Sequence, residues 1–128
     1  MTGLHVALAA QALVGTRFRL HGRDPATGLD CVGVVAAALK ATGPNGYRLR
    51  NRDISAALAF APAVGLAEVS DPIEPGDVLL VRSGPAQHHL LIASIRGGFI
   101  HAHAGLRRVV ATPGPLSWPI ERHWRLKD

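Results

Sequence analysis

The chain has 128 residues, 48% of them apolar and 18% charged, and carries a formal charge of +5. This size suits one domain over residues 1–128, and the apolar content excludes a disordered chain. A single cysteine excludes an internal disulfide, and the apolar stretch 4–14, interrupted by His5 and Gln11, is neither a signal peptide nor a membrane span.

Residues 3–14 read as an amphipathic packing helix with Leu4, Leu8, Gln11 and Ala12 near one side and Gly15 as its stop. Residues 15–29 have loop chemistry, punctuated by Gly15, Gly22, Asp24-Pro25 and Thr27-Gly28. They deliver the chain to Gly28-Leu29-Asp30-Cys31-Val32-Gly33-Val34-Val35, where Asp30 is a good N-cap and Cys31 falls in the first helical turn. Lys40 suits the C-terminal end of that helix, and Gly43-Pro44 closes the run. Unpaired N–H groups at a helix start, joined by a basic partner, can lower a thiol pKa from about 8.5 to roughly 3.5–7.5. The competing reading of a lone cysteine is a small buried thiol.

Gly43-Pro44-Asn45-Gly46 is a turn cluster, and Asp53 is expected to cap a short helix over 54–61 that Pro62 closes. From residue 66 the pattern changes to short β runs. Five strands are expected at 78–81, 89–94, 99–104, 107–111 and 120–126, separated by Gly/Pro turns. Helices first and a strand meander afterwards indicate an α+β fold, with the cysteine helix packed on an antiparallel sheet of about five strands. Runs 78–81 and 89–94 are apolar on both parities, as in strands covered on both faces.

Grouped basic residues occur as Arg17/Arg19/Arg23, Arg48/Arg50/Arg52, Arg107/Arg108 and Arg122/Arg125/Lys127, without interleaved aromatics or a nucleic-acid motif. They read as solvated charges, with no nucleic-acid partner. Four of the seven histidines, His88, His89, His101 and His103, fall in one predicted hairpin. With Ile95-Arg96-Gly97 as a three-residue loop, Ser94 faces Gly98 and Leu91 faces His101. His103 then lies straight across from His89 at about 5 Å and His101 diagonally at about 7–8 Å, so either imidazole could reach it. The chemistry offered is a cysteine nucleophile, a histidine base and a third polar group that fixes the base's tautomer. A zinc site on Cys31, His89, His101 and His103 is the weaker alternative, because no close C-x-x-C or H-E-x-x-H pair is present.

In this order, Gly15-Thr16-Arg17-Phe18, Leu29-Asp30-Cys31-Val32-Gly33, Pro75-Gly76-Asp77-Val78, His89-Leu90-Leu91-Ile92 and Gly98-Phe99-Ile100-His101 resemble the NlpC-type cell-wall cysteine peptidases. This is a papain-like group that includes phage and gene-transfer-agent tail peptidases. The resemblance implies a papain-like fold, Cys31 as nucleophile, His89 as base and His101 as the third residue. It also implies hydrolysis of amide bonds in the peptide part of peptidoglycan, without cofactor or metal. Arg17, Arg19 and Arg23 become candidates for meeting substrate carboxylates. Phage-like tail proteins are the expected partners: the chain would be made in the cytoplasm, associate with a tail particle and act in the wall or periplasm. A tail component without catalysis and a thiol amidase or acyltransferase acting on a small molecule are the alternatives. Val32, Phe18 and Leu91 stand where the pattern usually has serine, tyrosine and glycine, which affects substrate and oxyanion contacts more than thiol chemistry.

Overall fold

The computed structural model describes residues 2–40, 54–85 and 87–127. Three helices, α1 (Gly3–Ala12), α2 (Cys31–Ala38) and α3 (Ser55–Ala63), accompany eight strands. A two-stranded ribbon, β1 (Arg23–Asp24) and β2 (Gly28–Leu29), lies within the segment expected to be loop. The remaining strands are β3 (Leu66–Glu68), β4 (Val78–Gly84), β5 (Gln87–Ala93), β6 (Phe99–His103), β7 (Arg108–Thr112) and β8 (Ile120–Leu126). They form an antiparallel sheet in the order β3-β8-β4-β5-β6-β7. The sheet therefore has six strands rather than five, because the short run Leu66–Glu68 pairs with β8. The turn at 43–46 and the Asp53 cap lie outside the described residues.

Asp30 caps α2 by accepting from the Gly33 N–H at 2.8 Å. Gly33 is needed for packing: a Cβ there would collide with the Gly22 carbonyl, so the first turn of α2 can press onto the preceding loop only without a side chain. The helix ends at a Leu39 C-cap followed by Lys40 at φ 53°, ahead of the expected Gly43-Pro44 stop. Of the residues from Cys31 to Leu39, all but Ala37 are buried. They pack with Leu90, Ile92, Ile100 and Ala102 on one face of the sheet. The opposite face buries Leu79, Val81, Leu91, Ala93 and Phe99 beneath Leu116 and Trp118. Both-parity burial of β4 and β5 follows from this double cover.

Two helix expectations need correction. The face of α1 that is buried consists of Val6, Ala7 and Ala10, while Leu4 and Leu8 are 56% and 47% exposed. Its sequence is apolar on nearly every side, so docking of small alanines against α2, and not periodicity, selects the face. Helix α3 runs through Pro62 to Ala63 and stops before Gly65 at φ 88°.

Candidate active site

The β5–β6 hairpin has the register expected from its loop: Ile92 pairs with Ile100, Ala93 with Phe99, and Gly97 takes φ 84°. Ser94 N–H donates to Gly98 C=O, so hydrogen-bonded pairs fall at Ser94/Gly98 and Ile92/Ile100, and the next would be Leu90/Ala102. The ladder stops before that pair. The Leu90 N–H there faces the Cys31 sulfur, as does that of Val32. The thiol, carried on the helix-covered face, thus reaches the backbone where the two strands part, next to His89.

Side-chain alternation puts His89 and His101 on the opposite sheet face from Leu90 and Ala102, with Leu91 and Phe99. His89 Nε2 lies 2.8 Å from His101 Nδ1, and His101 Nε2 lies 2.8 Å from Thr112 Oγ1. Phe99 pairs with Thr112 and His101 with Val110, so β7 presents the hydroxyl diagonally to the second imidazole. The Trp118 ring meets both imidazoles edge-on, with centroids 6.0 and 6.1 Å away. His103 does not enter this row; its Nδ1 accepts from the Leu106 N–H at 3.0 Å and shapes the β6–β7 turn. His89 Nδ1 makes no hydrogen bond among the described residues, which leaves it available to the cleft.

A cleft of about 940 Å³ joins these groups. Cys31, His89, His101 and His103 line it, together with Phe18, Val32, Gln87 and Trp118. His21 and His88 also line it, which the sequence reading did not anticipate. Arg17, Arg19 and Arg23 are not among its lining residues. Arg23 Nη1 instead lies 2.6 Å from Asp30 Oδ1 and braces the cap of α2.

Burial governs the resting protonation. It pushes the Cys31 thiol up to about 12, outweighing the Leu90 and Val32 N–H groups, and the Asp30 carboxylate adds to the rise. The helix-start position alone does not make a thiolate here. Burial also pulls His89 down to about 3 and His101 to about 4, with neighbouring imidazoles disfavouring a second positive charge. The resting pair is a neutral thiol and a neutral imidazole. Among the described residues, no group of three or more His, Cys, Asp or Glu side chains could hold a metal ion.

No protein-family profile and no curated protein sequence matches the chain. Solved structures do. NlpC2 from Trichomonas vaginalis superposes with TM-score 0.68 at 20% identity, covering 96% of this chain and 45% of that protein. NlpC1 from the same organism gives TM-score 0.70 at 20% identity over 95% of this chain and 44% of its own. The NlpC/p60 domain of the peptidoglycan hydrolase SagA gives TM-score 0.60 at 25% identity, over 88% of this chain and 90% of that domain. The chain thus spans less than half the length of the two Trichomonas proteins but most of the SagA domain. Its fold is the α+β, papain-like fold of NlpC/p60 domains.

Proposed function

We propose that this protein is a cysteine hydrolase that cuts an amide bond in the peptide part of peptidoglycan. The observation that carries the reading is the continuous row His89, His101, Thr112 opening on the same cleft as Cys31, joined by two contacts of 2.8 Å. The likeness to a domain of a peptidoglycan hydrolase supports the substrate class.

In this reading Cys31 Sγ attacks the scissile carbonyl while its proton passes to His89 Nδ1. The C–N bond then breaks, and the departing amine takes that proton from His89. Water attacks the resulting thioester, giving a proton to His89; the carbonyl–sulfur bond breaks, and the sulfur recovers the proton as the acid leaves. A neutral resting pair makes proton transfer concurrent with attack. Catalytic thiol–imidazole contacts are often long without substrate, which agrees with the unshared Nδ1.

The row must also have one direction. If His89 carries its proton on Nε2, His101 must accept at Nδ1, hold its own proton on Nε2 and donate it to the Thr112 oxygen. The reverse arrangement places a proton on His89 Nδ1 and removes the base. His101 and Thr112 are therefore positioning residues. The Cys31 N–H at the start of α2 is one candidate oxyanion donor. Delivery by a phage-like tail or lysis machine is part of the same proposal and rests on the resemblance of the sequence blocks.

Defined soluble muropeptides, incubated with the full chain and analysed by mass, test the reaction. Cleavage at one peptide amide, lost in a folded Cys31→Ala variant and after single alkylation at Cys31, is the expected result. Undiminished cleavage by Cys31→Ala would remove the nucleophile, and intact muropeptides with the wild-type protein would remove the substrate class.

A further inference from the structure

Charge is distributed unevenly over the sheet. Glu68, Asp71, Glu74, Asp77 and Glu121 gather around β3, β8 and the approach to β4, where Arg82, Arg122, Arg125 and His123 pair with them. Among the described residues, the opposite edge has no such neutralisation. There residues 15–18 run along β7: Val109 N–H donates to Thr16 C=O, Phe18 N–H donates to Arg107 C=O, and Arg17 stands opposite Arg108 in an antiparallel bridge. Arg19 follows in the same segment, and Arg107 adjoins Arg108. All four arginines are exposed, and none forms an ion pair among the described residues.

Like charges placed directly across a strand pair destabilise it, so the Arg17–Arg108 opposition works against the fold at that edge. Such local conflicts concentrate where a surface serves a ligand. The position fits one. Arg108 is the register partner of His103, which lines the cleft, and Phe18, set between Arg17 and Arg19, lines it too. Leu20 and Leu106, 69% and 57% exposed, add apolar surface beside the charges.

We propose that Arg17, Arg19, Arg107 and Arg108 form a docking surface for the anionic wall polymer, gripping carboxylates of peptide stems other than the one being cut. The inference rests on the peptidoglycan reading above and adds to it a second contact with the same polymer. Guanidinium groups bind carboxylates bidentately, and several weak contacts on one polymer raise its effective concentration at the cleft. Outside the cleft, the arginines then act on the polymer and not on the scissile bond.

The test uses the full chain carrying Arg108→Glu, with Arg108→Lys beside it. Binding is measured by co-sedimentation with purified insoluble peptidoglycan in a Cys31→Ala background across a salt series. Turnover is compared between insoluble wall and a soluble monomeric muropeptide in the Cys31 protein. Arg108→Glu should weaken wall binding about tenfold at low salt and flatten its salt dependence, with Arg108→Lys falling between it and wild type. The ratio of wall to muropeptide turnover should drop by a similar factor. The melting temperature should rise, because Arg17 then faces a carboxylate.

Unchanged wall binding would overturn the proposal, as would equal losses on wall and soluble muropeptide, which would place Arg108 in the cleft's own chemistry. Charge-dependent binding to phosphatidylglycerol vesicles without binding to wall would make the surface a membrane contact and overturn it too. If the wild-type protein cuts no wall fragment yet binds wall through Arg108, the hydrolase reading fails and the docking surface stands.

Discussion

Two histidines in this molecule sit in opposite kinds of surroundings. His123, on β8, holds its Nε2 2.6 Å from the buried Asp77 carboxylate, which also takes Arg125 Nε at 2.9 Å and the Glu74 N–H at 2.9 Å. His89, on β5, has only another imidazole, then a hydroxyl, behind it. Burial alone would raise the Asp77 carboxyl, but hydrogen bonds from Arg125, Glu74 and His123 outweigh it and hold it below the usual carboxylate range. A carboxylate-bound imidazole with a neighbouring guanidinium is tied into a charge network that secures the turn before β4. An imidazole backed by neutral groups keeps a free nitrogen and a low proton affinity, and in the proposed mechanism it takes a proton only as a substrate reacts.

The largest expected effect separates the two by activity. His89→Ala should reduce turnover on a muropeptide by about 10²–10⁴-fold, the usual worth of a positioned general base, whereas His123→Ala should stay within a few-fold. Steady-state kinetics on both variants checks this, and comparable losses would show that the charge network also serves the chemistry. Stability should rank the other way. Asp77→Asn leaves Arg125 and His123 facing a buried neutral amide and should cost about 3 kcal/mol, on the order of a 10 °C fall in melting temperature. His89→Ala should melt much closer to wild type.

Acid should then act on the two regions in separate windows. His89 and His101 have folded pKa values near 3 and 4, below the 6.5 of a free imidazole, so the unfolded chain binds their protons first. Their contribution to stability is complete above pH 6.5 and is lost as the pH falls from there toward about 4 and 3. Asp77, with its lowered pKa, contributes above the ordinary carboxyl value of 3.8 and loses that contribution only as the pH falls through its folded value. Melting curves between pH 7 and pH 5 should therefore show a decline in wild type that a His89→Ala, His101→Ala double variant largely lacks. A decline of equal size in that variant would assign the acid sensitivity elsewhere.

Local chemistry explains which parts of the site were legible in the sequence. Asp30 marks the start of α2, and Ile95-Arg96-Gly97 sets the hairpin register, so the meeting of Cys31, His89 and His101 could be anticipated. The choice between His101 and His103 could not be made from register alone. It depends on the ladder ending before Leu90 and Ala102, and continued pairing would have set His103 across from His89. Thr112 and Trp118 went unnoticed because Thr112 falls one residue past the expected end of its strand and neither residue belongs to a motif. Arg108 likewise drew no notice, and Arg17, a candidate for substrate carboxylates, shows its opposition to Arg108 only once segment 15–18 lies along β7. Nor did periodicity reveal the buried face of α1, since nearly every side of that helix is apolar.

The smallest effect concerns the end of the histidine row. Thr112→Val keeps the β-branched shape but removes the oxygen 2.8 Å from His101 Nε2. A hydrogen bond of ordinary net worth, about 0.5–1.5 kcal/mol, corresponds to roughly a two- to tenfold loss of turnover. His101→Ala should cost more, because it takes away the acceptor facing His89 Nε2 as well, and His103→Ala should cost far less than His101→Ala, since that ring lines the cleft but makes no hydrogen bond within the row. A simple packing defect could imitate a small rate loss, but it would not redirect protons. Nitrogen-15 shifts of the imidazoles should show His101 held in its Nε2–H tautomer in wild type and Thr112→Ser, and a mixture of tautomers in Thr112→Val. If Thr112→Val leaves both the tautomer and the rate as in wild type, the row ends functionally at His101, and the hydroxyl is a bystander on the edge of β7.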